Sequence, residues 1–132
     1  MPNIRIFRQA FKLTGLRESL KFALRGIIYL FIFHRNMRII FLLGIFALLL
    51  GFYFQLRGIE LMILCLTIAL VFMAEVVNTT VELILDVFCE RYHPKVKIIK
   101  DISAAVVLIT VINSLVIGYI IFIRRIIYYF VK

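Results

Sequence analysis

Acidic side chains are scarce in this sequence: 7 Asp and Glu stand against 16 Lys and Arg, a formal charge of +9 over 132 residues. Nucleic acid is the usual partner of so basic a chain. Here, however, the basic residues lie beside apolar runs, where anionic lipid headgroups sit, so membrane lipid is the expected partner and nucleic acid is not. Cysteine is scarce too. Cys65 and Cys89 show no C-x-x-C spacing and Cys65 falls inside an apolar run, which argues against a disulfide framework and against a zinc site. Neither G-x-x-x-x-G-K-S/T nor G-x-G-x-x-G occurs, so a P-loop or glycine-rich nucleotide fold is not indicated and any nucleotide site must be built by helices. No cleavable signal peptide is expected, because residues 1–38 scatter eight basic side chains among the apolar ones.

What the chain has in abundance is apolar side chain, 64% of the total, against about 45–50% in soluble domains. A small globule cannot cover that much apolar surface, so the fold class expected is an all-α membrane protein. At about 20 residues per spanning helix, the length holds three or four spans and leaves no room for a separate soluble catalytic domain.

Near the N-terminus the pattern is amphipathic. Ile4, Phe7 and Phe11 share one helical face and Arg5, Arg8 and Lys12 another. After Thr14-Gly15 the pattern restarts, with Leu20, Leu24, Ile27 and Phe31 on one side and Arg17, Lys21 and Arg25 on another. Both pieces fit helices lying in the membrane interface, or helices packing on the protein itself. Three uncharged runs follow. The whole is expected to be one membrane-embedded domain over 1–132, with interfacial helices within 1–35 and transmembrane helices at 37–56, 61–88 and 102–123. Counting basic residues beside the spans gives twelve on the side of the N-terminus and the Cys89–Asp101 loop, against four on the other. The N-terminus is therefore placed in the cytoplasm and the protein in the cell's inner (cytoplasmic) membrane. Arg124-Arg125 weighs weakly the other way.

The second span is unusual. Glu75, Asn78, Glu82 and Asp86 fall within an arc of about 80° at 100° per residue, forming one polar stripe. Glu75 lies roughly 21 Å along the helix from Leu61, where an ionised carboxylate is costly. Such residues usually mark a site or an ion path, although a protonated Glu75 that merely bonds a neighbouring helix is the plain alternative. That setting suits Glu75 to taking up a proton as a general base. Glu82, nearer water, can stay charged and hold Mg²⁺, which needs only one or two carboxylates beside phosphate oxygens. The plain alternative for Glu82 and Asp86 is solvation or pairing with loop lysines. The loop C-E-R-Y-H-P-K-V-K-I-I-K-D then sets Tyr92 and His93 beside several cations. That mixture suits a nucleotide: lysines can contact phosphate and the rings a base. Lys95 and Lys97 on their own are better read as an ordinary positively charged cytoplasmic loop.

The segments A-E-V-V-N-T-T-V-E-L-I-L-D (Ala74–Asp86), Y-H-P (Tyr92–Pro94) and K-D-I-S-A-A (Lys100–Ala105) resemble the small prokaryotic integral-membrane lipid kinases, the diacylglycerol kinase and undecaprenol kinase family. Weaker similarity runs from about Ser19 to Phe122. The resemblance implies three transmembrane helices, an amphipathic N-terminal helix, a homotrimer with shared active sites, and Mg-ATP as phosphoryl donor to a lipid alcohol. It implies Glu75 as general base, Asn78 as a residue ordering the site, and Glu82 as the ligand of the Mg²⁺ that bridges ATP phosphates. Tyr92, His93, Lys100 and Asp101 would contact the nucleotide. The Y-H-P version, with Lys97 and Lys100-Asp101, is more similar to the undecaprenol branch, which makes undecaprenol the expected acceptor and diacylglycerol the alternative.

One position departs from the pattern. In H-R-N-M-R, His34 stands where the family has a glutamate that would be a second metal ligand. Neutral imidazole matches Mg²⁺ poorly, so His34 is read as an interfacial histidine before it is read as a ligand. From other classes, a small proton-coupled transporter would use the buried Glu75 but not Glu82, Asp86 and Lys100-Asp101 at one edge. A non-catalytic membrane scaffold has only His34 in its favour.

Overall fold

The computed structural model describes residues 16–89 and 93–130, with side chains from 17 to 127 of these. The first amphipathic stretch (residues 4–13), Arg91, Tyr92 and Lys132 lie outside the described residues. Among the described residues all regular structure is helical: α1 Leu16–Phe33, α2 Arg35–Tyr53, α3 Ile59–Phe88 and α4 Pro94–Phe130. Three of these, α2, α3 and α4, are long and apolar enough to cross a membrane. The chain divides into two compact units, residues 1–34 and 35–132.

Helix α1 belongs to the first unit and carries the restarted amphipathic pattern. Arg17, Lys21 and Arg25 are exposed, and so are Leu20, Leu24 and Ile27. A helix whose apolar side is left bare in this way is built to lie against something else.

In the second unit α3 packs against both α2 and α4. The α2–α3 contact is a glycine face. Gly44 and Gly51, seven residues apart and therefore on the same side of α2, are both buried. A Cβ at either would stand 3.0 Å from a side-chain atom of Ile68 or of Leu64 respectively. The absence of side chains at these two positions is what lets the helices approach. Helix α2 stops in a Schellman turn: the Leu56 N–H donates to the Gly51 carbonyl (2.9 Å) and the Gln55 N–H to that of Phe52 (3.0 Å). Gln55 takes the left-handed conformation, φ 54°, where glycine is the usual residue. The turn drives Leu56 inward to form the apolar core with Leu64 and Ile121.

Helix α4 starts eight residues before the expected span at 102. Pro94, which lacks the N–H that a first helical residue would leave unpaired, opens it, and His93 Nδ1 accepts the Lys95 N–H at 3.2 Å as a cap. Charged residues do not interrupt a helix, so the uncharged run marks the apolar part of α4 and not its ends. Two ion pairs fasten α3 to α4 in antiparallel register. Lys100 Nζ donates to Asp86 Oδ1 and Arg125 Nη2 to Glu60 Oε2, both at 2.6 Å. They lie about 39 Å apart along α3 at 1.5 Å per residue, which brackets a hydrocarbon core of about 30 Å.

Candidate functional site

The polar stripe of α3 faces inward. Glu75, Asn78 and Thr79 are buried, Glu75 at 3% exposure, while Glu82 is half-buried and Asp86 exposed. The stripe thus runs from a buried end to an open one, and Glu75 lies about 10 Å further along the axis than Glu82. Among the described residues nothing hydrogen-bonds the Glu75 carboxyl, and neither of its oxygens is shut away unpaired.

Asn78 joins the two helices. Its Nδ2 donates to Glu82 Oε1 (3.2 Å), one turn on, and its Oδ1 lies 2.7 Å from Ser103 Oγ of α4. The Ser103 hydroxyl is also 2.9 Å from the Lys100 carbonyl, and its single proton serves one of these acceptors at a time. With Ser103 donating, the amide of Asn78 is fixed with its NH₂ toward the carboxylate. Lys100, three residues earlier on α4, closes the open end on Asp86. Glu82, Asn78, Ser103, Lys100 and Asp86 therefore form one polar line between α3 and α4.

Asp101 and His93 stand outside this line. Asp101 is exposed and points away from the α3 face, since one helical step turns it about 100° from Lys100. His93 is exposed and occupied as the cap of α4. His34 ends the first compact unit, its ring 6.0 Å from that of Tyr29. Tyr92 lies outside the described residues. Ser103 is the residue that sequence reasoning passed over as a site residue. Its signals were its place in the K-D-I-S-A-A segment and on the same side of α4 as Lys100.

Among the described residues no three His, Cys, Asp or Glu side chains converge as a complete metal cage. That donor set still fits Mg²⁺ brought in with a phosphate ligand, which asks for one or two carboxylates and takes its other ligands from phosphate and water. Glu82, with one oxygen on Asn78 and the other turned from that bond, fits this role.

An all-helical membrane protein with a carboxyl and an amide buried on one spanning helix, and a lysine of the next at the open end, is the class so defined. The chain belongs to the prokaryotic diacylglycerol kinase family, whose profile matches residues 21–122. It is 32% identical over 105 residues to a diacylglycerol kinase of Synechocystis sp., a match covering 79% of this chain and 60% of that protein. It is 35% identical over 79 residues to an undecaprenol kinase of Bacillus subtilis (strain 168), covering 60% of this chain and 64% of that protein. The chain thus spans under two thirds of the length of either relative.

Proposed function

We propose that this protein is an ATP-dependent lipid kinase of the cytoplasmic membrane, with its N-terminus in the cytoplasm, and that its acceptor is undecaprenol. The observation that carries the reading is the α3 stripe: a deep carboxyl, Glu75, and a shallower one, Glu82, on one face and linked through Asn78 to α4. A lipid alcohol presents its hydroxyl from within the bilayer and a nucleotide presents its phosphates from water. Two carboxylates about 10 Å apart along one helix match those two approaches.

In the proposed reaction the lipid hydroxyl oxygen forms a bond to the γ-phosphorus of ATP as the bond from that phosphorus to the β,γ-bridging oxygen breaks. ADP leaves, and the hydroxyl proton passes to a Glu75 carboxylate oxygen. Glu82 would hold Mg²⁺, whose charge offsets that of the phosphate oxygens. Asn78 keeps the Glu82 carboxylate oriented, and Lys100 exchanges its contact with Asp86 for a phosphate oxygen. Tyr92, His93 and Asp101 are assigned to the nucleotide by family resemblance, as is the homotrimeric assembly. His34 is given no metal role.

The two named relatives divide over the acceptor, and the longer match is to the diacylglycerol kinase, which supports diacylglycerol as the second reading. Purified protein in lipid vesicles with Mg-ATP, offered each alcohol separately, decides between them. Faster phosphorylation of undecaprenol is expected. A reversed preference assigns diacylglycerol, and transfer to neither favours the scaffold or transporter readings.

A further inference from the structure

A threonine inside a spanning helix usually bonds its hydroxyl back to a carbonyl of the preceding turn, since hydrocarbon offers no other partner. Helix α3 does this twice: Thr67 Oγ1 donates to the Ile63 carbonyl at 2.7 Å and Thr80 Oγ1 to that of Val76 at 2.8 Å. On α4 the hydroxyls of Ser103, Thr110 and Ser114 are bonded likewise. Thr79 is the exception. Among the described residues its hydroxyl makes no hydrogen bond, although at 1% exposure it is the most deeply buried polar side chain. A buried hydroxyl without a partner destabilises the fold, and valine, of nearly the same shape, would carry no such cost. A group of this kind calls for a reason outside packing.

The place of Thr79 is as specific as its lack of a partner. Glu75, one turn earlier, is the other buried polar side chain of α3 without a bond among the described residues. At 100° per residue, Asn78 lies about 60° to one side of Glu75 and Thr79 about 40° to the other. The Asn78 side meets α4 through Ser103. The Thr79 side meets α2, where Ile68 packs on Gly44 and the ring of Phe72 on that of Phe41. Met37, one turn before Phe41 and fully buried, continues this contact and offers only a thioether, a weak acceptor. Residues four apart on a helix have Cβ atoms about 5–6 Å from each other, a gap that one further oxygen can bridge with a hydrogen bond to each.

On the lipid-kinase reading, on which this step rests, we infer that Thr79 is a catalytic residue: it donates its hydroxyl hydrogen bond to the oxygen of the acceptor alcohol while Glu75 accepts that alcohol's proton. An alcohol oxygen carries one hydrogen and two lone pairs. The hydrogen goes to Glu75, one lone pair receives the Thr79 O–H, and the other is left to attack the γ-phosphorus. The attacking oxygen is thereby oriented from two points on one rigid helix. As the new oxygen–phosphorus bond forms and the alcohol proton passes to the Glu75 carboxylate, the bond from phosphorus to the β,γ-bridging oxygen breaks and ADP leaves with its electron pair. Thr79 keeps its own proton throughout. Its hydrogen bond strengthens as the alcohol oxygen gives up its proton, so the contact favours the transition state over the bound alcohol.

The test compares Thr79→Val, Thr79→Ser and Thr80→Val with the parental full chain in phosphatidylcholine–phosphatidylglycerol vesicles. It measures kcat and KM with Mg-ATP and each of undecaprenol and diacylglycerol, and the midpoint of thermal unfolding in detergent. Thr79→Val keeps the shape and removes the hydroxyl. Its kcat is expected to fall roughly 10- to 100-fold, the effect of losing one hydrogen bond to a group that gains charge, with KM for ATP unchanged. Its unfolding midpoint should equal or exceed the parental one, because a buried polar group without a partner has been removed. Thr79→Ser should retain most of the parental kcat. Thr80→Val, whose hydroxyl is exposed and bonded within its own helix, should match the parent. Parental kcat in Thr79→Val, an equal loss in Thr79→Ser or in Thr80→Val, or a loss accompanied by a lowered midpoint overturns the assignment and leaves Thr79 a packing residue. Transfer to neither alcohol by the parental chain is a separate failure, that of the kinase reading itself.

Discussion

Ser103 Oγ of α4 lies 2.7 Å from Asn78 Oδ1 of α3, and the other end of the same amide meets Glu82. When the Ser103 hydroxyl donates here, it holds the Asn78 amide with its NH₂ toward Glu82. Ser103→Ala leaves the amide free to turn. Loss of one such bond, about 0.5–1.5 kcal/mol net, is expected to lower kcat roughly 2- to 10-fold, with the Mg²⁺ requirement rising because Glu82 loses its orientation. Steady-state lipid phosphorylation across a Mg²⁺ titration checks this. A variant with reduced expression but unchanged kcat and Mg²⁺ dependence would assign Ser103 to packing alone.

Glu82 and His34 separate by their response to metal. Glu82→Gln keeps shape and the acceptor oxygen for Asn78 but removes the charge, so the Mg²⁺ concentration needed for half-maximal rate should rise about tenfold or more, the weight of one charge-bearing oxygen ligand. His34→Glu should leave that concentration where it is, in keeping with a ring that lies against Tyr29. A fall in the requirement of His34→Glu would put position 34 in the metal site.

The stripe of Glu75, Asn78, Glu82 and Asp86 was legible in the sequence because a helix repeats every 3.6 residues and four polar residues on one side declare themselves. The partners were not. Whether Lys100 meets Asp86, or Ser103 meets Asn78, depends on the register of α4 against α3, which the periodicity of neither helix encodes. Arg125 shows the same limit. As a charge beside a span it counted weakly against the orientation, whereas in the fold it pairs with Glu60, 65 residues away. The ends of α2 and the start of α4 were missed for a simpler reason: uncharged runs report hydrocarbon contact, while Pro94 and the turn at Gln55 report where the backbone bonds begin and stop.

That turn gives a stability test. Gln55 holds φ 54° and Gly58 φ 57° with ψ −125°, two left-handed positions of which only one has glycine. The left-handed conformation costs a side-chain-bearing residue about 1–2 kcal/mol, so Gln55→Gly should raise the midpoint of thermal unfolding in detergent by a few degrees. Gly58→Ala should lower it by at least as much, since its combination of angles is open almost only to glycine. Equal midpoints in both variants would mean that the loop relaxes without cost.

Glu75 carries the chemical claim. Glu75→Gln preserves the volume and a hydrogen-bonding head group in a position only 3% exposed, so the helix pair should form as before, yet an amide cannot accept the lipid's proton. The expected loss is roughly 10²–10⁴-fold in the rate of phosphoryl transfer, the range for general-base catalysis. Nucleotide binding should persist, because the groups assigned to it lie at the other end of the stripe, about 10 Å or more away along α3. Single-turnover transfer, followed together with ATP binding at equilibrium, separates the two. Transfer at the parental rate would remove Glu75 as the base, and loss of both activities together would show a folding defect, which Glu75→Asp, with its carboxylate kept and its reach shortened, would then distinguish by partial recovery of binding and rate.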